Sequence, residues 1–213
     1  MKKLVRTQLK FLDDFSLANS DWMSVPKEEI WEALDKMQGG FCVYCECKLV
    51  RKHIEHFKTR DEFPQDTFKW DNLFGSCGDS TKPGGWNRCG IYKDSRAGNY
   101  NINEIIKPDV DDPNEYFLFL TSGKIEPKNE ISEINLKKAQ ETIRVLNLND
   151  DTTLFNRRKN AILAIQDEIE ELYELQDELA DDFNTFLNDN INETIGKEFK
   201  TALEHAWIFN KKY

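Results

Sequence analysis

The sequence predicts an α+β chain: a small, loop-rich, cysteine-stapled core flanked by an N-terminal helix and a mainly helical C-terminal region. Three observations lead there. All five cysteines and two of the three histidines fall within residues 41–107. Helical periodicity fades in that stretch, which holds six glycines between Gly75 and Gly98. Beyond Asp111 the apolar residues return to helical spacing after one short hairpin signature. The 213 residues suffice for one good-sized core or two modest domains. A 39% hydrophobic and 12% aromatic content argues against disorder, although 32% of residues are charged.

Taken in order, residues 1–40 read as a helical lead-in. Ser24 and Pro26 are start signals, Ile30, Trp31, Leu34 and Met37 recur at helical spacing, and Gly39-Gly40 stops the helix. Residues 41–107 form the stapled core, with strand-like pieces at 48–56 and 69–74 around a polar loop at 58–67, then a Gly/Pro-rich excursion at 78–88. A segment this poor in apolar residues needs a staple. Residues 108–213 open with a hairpin, in which Tyr116 to Leu120 and Lys124-Ile125 flank the turn Ser122-Gly123. Leu136, Ala139, Ile143 and Leu146 mark one helix. Asp151 caps a longer one, in which Ile162, Ile165, Ile169, Leu172 and Leu179 keep a 3–4 alternation that Phe183 and Phe186 continue. A last helix near 194–209 uses Ile195, Phe199, Leu203 and Trp207.

A net charge of −10 excludes a uniformly basic coat for a polyanion. The charge is uneven, however. Lys48, Arg51, Lys52, Lys58 and Arg60 surround the histidines, while the acidic run lies between Asp167 and Asp182. No apolar run is long enough to span a membrane, and the basic N-terminus lacks the apolar stretch of a secretory signal, so a cytoplasmic location is expected.

In a reducing compartment the cysteines point to metal binding, reactive thiols or burial rather than disulfides. Cys42 and Cys45 form a Cys-x2-Cys pair, with Cys77 and Cys89 further along. Four thiolates can close a tetrahedral zinc site, and buried or redox-active thiols are the alternative. Cys47 is left over, either as a free thiol or as a competitor of Cys45. In His53-Ile54-Glu55-His56, strand alternation puts His53 with Glu55 and Ile54 with His56. Glu55 and His56 can approach one centre only where the strand ends, the carboxylate as a hard-metal ligand and the imidazole as a base. A structural core histidine is the other possibility.

Cys42/Cys45, Glu55-His56, Asn72-Leu73 with Cys77, and Cys89 followed by Lys93 together resemble the HNH endonucleases of the ββα-metal fold. The pattern Tyr44-Cys45-Glu46, Trp70-Asp71-Asn72-Leu73, Ser76-Cys77-Gly78, Asp111-Asp112-Pro113 and Glu141 to Asn149 is similar to the HNH subunit of Septu anti-phage defence systems, a group also found beside retrons. The resemblance implies that His56 is the general base and that Glu55 binds a catalytic Mg²⁺ or Mn²⁺. It implies that Asn72 holds the loop and orients His56. Cys42, Cys45, Cys77 and Cys89 would hold a structural zinc ion. It further implies a DNA substrate and a partner ATPase that controls cutting. The family's second metal ligand often follows the last cysteine, where this chain has Gly90; Asp79, Asn87 or Asp94 are the candidates to replace it. Lys93 and Arg60 are expected to bind flanking phosphates, with plain solvation the alternative for Lys93. The helical C-terminal region is a candidate docking surface for the partner. A non-catalytic zinc-binding adaptor is the competing function, favoured by Gly90; a thiol redox protein has no supporting βαβ pattern.

Overall fold

The computed structural model describes residues 1–78 and 86–209. The lead-in contains a single α-helix, α1 (Glu28–Gln38), preceded by two isolated 3-10 turns. Ile30, Ala33 and Leu34 give α1 its buried face, and Gly39 ends it in the left-handed conformation at φ +70°, where glycine is favoured. Strands β1 (Lys52–His56) and β2 (Leu73–Cys77) pair antiparallel, with Glu55 opposite Phe74 and His56 opposite Leu73. Both start later than the sequence suggests. The Gln38 side chain ties α1 to this sheet by donating to the Gly75 carbonyl and accepting from the Gly75 amide. A short helix, α2 (Cys89–Ser95), packs against β2 and completes a β-β-α unit.

The second half opens with the expected hairpin, β3 (Phe117–Phe119) paired with β4 (Ile125–Pro127). Helix α3 (Glu133–Val145) is capped by Ser132, and α4 (Thr152–Leu163) by Asp151, which accepts from the Leu154 amide at 2.7 Å. The single long helix expected after Asp151 is instead broken into α4, α5 (Gln166–Glu174), α6 (Gln176–Leu179) and α7 (Phe183–Asn192). Ala180 adopts φ +46° at one break, which no continuing helix permits. The breaks fold the stripe back on itself: Ile162, Ile169, Leu172 and Phe183 are buried in the main core, and Ile165 and Leu179 pack against it. Most of that stripe is therefore intramolecular core, while Phe186 at its end is exposed. Helix α8 (Lys200–Phe209) contributes Ala202, Leu203, Ala206 and Trp207 to the same core, which also takes in Cys42, Cys77, Phe57 and Phe74. Among the described residues no helix is long and apolar enough to cross a membrane.

One buried imidazole makes this packing sensitive to acid. His205 Nδ1 accepts a hydrogen bond from the Phe119 amide at 3.1 Å, which joins α8 to the hairpin. Burial, aided by the nearby charge of Lys128, lowers its pKa to about 4. The unfolded chain takes up this proton near pH 6.5 and the folded chain only near 4, so stability falls as pH drops through that window, by up to about 3 kcal/mol. Thermal melts between pH 7 and 4 should show the decline. His205→Gln, which keeps an acceptor, should flatten it in part; an unchanged pH slope contradicts the assignment.

Candidate functional site

The four sulfurs of Cys42, Cys45, Cys77 and Cys89 lie within 4.8 Å of one another, all buried, and no disulfide joins any of the described cysteines. They come from the turn after α1, the end of β2 and the first residue of α2. A zinc tetrahedron with Zn–S near ~2.3 Å has sulfur–sulfur edges of roughly 3.8 Å, and Cys45 and Cys77 stand 3.6 Å apart. The Cys77 amide donates to Cys42 Sγ at 3.3 Å, and Trp86 Nε1 donates to Cys77 Sγ at 3.4 Å, contacts that stabilise charged sulfur. Hydrogen bonds from the neighbouring thiols, Cys42 first, hold Cys45 well below the usual thiol range, so one thiolate is already favoured without metal. Two buried cations, Arg88 and Arg158, sit close enough for their charges to act on this cluster. Arg88 also pairs with Asp151 at 3.0 Å, connecting the cluster to the cap of α4. Neither arginine stood out in the sequence, because each is brought here by packing across the two halves. Donor type, spacing and compensating charge all fit a tetrahedral zinc ion. Cys47 is a fifth buried thiol beside Cys45 and stands outside the group of four.

The β-β-α unit also lines a cleft of about 590 Å³. His56, the last residue of β1, turns its ring edge toward Trp22 at 4.5 Å between centroids. Its Nε2 donates to the Thr67 carbonyl at 3.0 Å, which leaves Nδ1 as the unprotonated nitrogen of the neutral ring. Burial lowers the His56 pKa to about 4, so the imidazole is neutral through the physiological range. Asn72 keeps Thr67 in place from a distance. It accepts from the Lys58 amide at 2.8 Å and donates to the carbonyls of Lys58 and Asp66 at 3.0 and 3.1 Å, closing the loop that ends at Thr67.

Glu55 points to the opposite side of β1, toward α2, as strand alternation requires. Its carboxylate is fully buried and contacts His53 Nε2 at 3.2 Å and Lys93 Nζ at 3.1 Å. Burial alone would raise its pKa, but the charge of Lys93 and the hydrogen bond from His53 outweigh that and hold it near 2. A Cβ added at Gly90 would stand 1.9 Å from Glu55 Oε2. Glycine at the position after the last cysteine is therefore what lets Glu55 approach α2, and it need not signal a lost ligand. Gly90→Ala is expected to displace the carboxylate and destabilise the fold by about 1–3 kcal/mol, despite alanine's better helix propensity; a melt equal to wild type would contradict this packing.

Lys93 is corrected by the structure. It is neither a solvated surface lysine nor free to hold a flanking phosphate: its ammonium is wholly buried. Oxygens surround it from Glu55, from Asp94, and from the carbonyls of His56 and Phe57 at 3.2 Å each, with the Tyr100 hydroxyl nearby. Of the three candidates for a second carboxylate or amide ligand, only Asp94 shares this centre. Asn87 lies apart, accepting from Arg96 at 2.8 Å, and Asp79 falls outside the described residues. Partial desolvation in the cleft and the charge of Glu55 raise the Asp94 pKa to about 7. The oxygen donors suit a hard divalent ion in type, with Glu55 and Asp94 as the residues that would hold it.

The cleft is also lined by Lys27, Lys52 and Arg60, by Asp61 and Glu62, and by Trp22, Trp31 and Tyr100. Lys52 Nζ lies 4.1 Å over the Trp31 ring, and Lys27 Nζ 4.0 Å over Trp22. Lys52 and Arg60 belong to the basic strip legible in the sequence, whereas Trp22, Trp31 and Tyr100 are brought to it from the lead-in and from beyond α2.

The chain is similar to the Septu protein PtuB of Bacillus thuringiensis. The two are 29% identical over 197 residues, covering 87% of this chain and 64% of that protein. The chain thus spans just under two thirds of the length of the relative it matches. No protein-family model matches it.

Proposed function

We propose that this chain is a metal-dependent endonuclease of the HNH type that hydrolyses DNA as the nuclease subunit of a Septu-like anti-phage defence complex, under the control of a partner ATPase. The observation that carries the reading is the setting of His56: a neutral imidazole at a strand end, its tautomer fixed by Thr67, in a cleft that Glu55 and Asp94 also line. The similarity to the Septu protein PtuB supports the defence role and the presence of other subunits.

Within this reading Nδ1 of His56 takes a proton from the attacking water, a contribution of about 10²–10⁴-fold. Lys52 and Arg60 hold the phosphate backbone at the rim, and Trp22, Trp31 and Tyr100 offer faces for bases or sugars. Nothing on the rim forms a recognition helix for the major groove, so cutting with little sequence preference is expected. Bound at Glu55 and Asp94, a divalent ion would supply charge neutralisation of the phosphate and of the departing oxygen. The overall acidity of the chain makes autonomous duplex binding weak, which is where a partner subunit contributes.

The test is cleavage of supercoiled plasmid by the chain with its partner subunit, in Mg²⁺ or Mn²⁺, for wild type and His56→Ala. Loss of cutting in the variant supports the reading, and equal activity of the two sinks it. The adaptor reading keeps one observation in its favour, the occupation of the carboxylate centre by Lys93. It requires that wild type not cut at all.

A further inference from the structure

Two acids, two carbonyls and one ammonium make an unusual centre for a hydrolytic metal site. The Lys93 Nζ contacts Glu55 Oε1 at 3.1 Å and the carbonyl oxygens of His56 and Phe57 at 3.2 Å, and Asp94 Oδ1 closes the group. A buried ammonium ringed by oxygens already satisfies the electrostatic demand that a divalent cation would meet there. The two cations cannot share the place. Like charges a few ångströms apart in a desolvated pocket repel strongly, and Glu55 has no other unencumbered oxygen: Oε2 meets His53 at 3.2 Å and is walled by Gly90.

Taking the cleft as the hydrolytic site proposed above, we infer that Lys93 is the resident cation of that site and that a divalent ion reaches Glu55 and Asp94 only by displacing it. Lys93 is thereby a positioning residue that sets the affinity for the metal. The route out exists, because Asp94 is 44% exposed at the cleft and Lys93 lines the same cleft, so its four-carbon stem can swing toward solvent. Displacement moves one ammonium into water and leaves both carboxylates to the ion. Anything that draws Lys93 outward, such as a phosphate group in the cleft, then raises the affinity for metal. Metal and nucleic acid would load together.

The test measures binding of Mn²⁺ to the full-length, zinc-loaded chain by electron paramagnetic resonance, with no DNA present. Lys93→Met and Lys93→Gln should bind Mn²⁺ at least about tenfold more tightly than wild type. Because the variants leave Glu55 buried without its counter-charge, Mn²⁺ should also raise their melting temperature more than that of wild type. Adding Asp94→Asn to either variant should reverse the gain. Should the variants not fold, judged by zinc content and circular dichroism, wild type answers alone. Reductive methylation followed by peptide mass spectrometry should find Lys93 protected without Mn²⁺ and modified at saturating Mn²⁺. Equal Mn²⁺ affinity in wild type and folded variants, or Lys93 still protected at saturation, overturns the inference. These outcomes are separate from nuclease activity: tighter Mn²⁺ binding without plasmid cutting would fault the endonuclease reading alone, and His56-dependent cutting with unchanged Mn²⁺ affinity would fault the role of Lys93 alone.

Discussion

Cys77→Ser is expected to leave the chain without zinc and largely unfolded. A structural zinc ion contributes on the order of 10 kcal/mol to folding, comparable with the whole net stability of about 5–15 kcal/mol for a typical domain. Cys77 also ties the elements of the β-β-α unit to one another at a single point. It ends β2, its sulfur lies 3.6 Å from Cys45 on the turn after α1, and Cys89 in the same cluster begins α2. The loss spreads, because the cysteines belong to the core that also includes Leu146, Leu154 and Trp207. Without the ion, the remaining thiols carry less negative charge in a pocket where Arg88 and Arg158 place positive charge, so those arginines lose compensation as well. Metal analysis should find about one zinc per wild-type chain and none in Cys77→Ser, whose far-ultraviolet signal should collapse. Cys47→Ser, outside the group of four, should keep its zinc. A Cys77→Ser protein that melts within a few degrees of wild type would show that the thiols are merely buried.

What could be read beforehand follows from how local each feature is. Strand alternation alone paired His53 with Glu55 and set His56 on the other face, and the ladder from Lys52 to His56 has that arrangement. Asp151 as a cap and the hairpin around Gly123 depend on a few neighbouring residues and were equally legible. The stripe from Ile162 to Phe186 misled because periodicity is blind to a chain break such as that at Ala180, where φ is +46°. Lys93 was opaque for a different reason. Nothing in its neighbours says that α2 rotates it inward, since that orientation depends on Cys89 joining the sulfur cluster and on Gly90 admitting Glu55. The cleft wall was hidden likewise: Trp22, Trp31 and Lys52 meet only because α1 packs on β2.

His56→Ala is expected to lower plasmid cleavage by about 10²–10⁴-fold, with the loss in kcat rather than in KM. Removing the ring deletes the imidazole whose tautomer Thr67 fixes with Nδ1 unprotonated, whereas His53, the other imidazole of the cleft, is tied through Nε2 to Glu55. Neither the sulfur cluster nor the Glu55–Lys93–Asp94 group uses the His56 side chain. Zinc content and Mn²⁺ affinity should therefore stay at wild-type values while cutting disappears. Asn72→Ala supplies the contrast. Asn72 bonds the loop backbone at Lys58 and Asp66, and its effect on chemistry passes through the Thr67 carbonyl that orients His56. Its loss should cost less rate than His56→Ala and should alter the pH profile of cleavage, as the imidazole regains freedom to change tautomer. Should Asn72→Ala lose activity only in proportion to its loss of folded protein, with the pH profile unmoved, the residue is scaffolding and the orientation of His56 has another source. Cutting by His56→Ala at the wild-type rate would mean that any hydrolysis arises elsewhere, and that the β-β-α unit serves as a zinc-held platform for partner subunits.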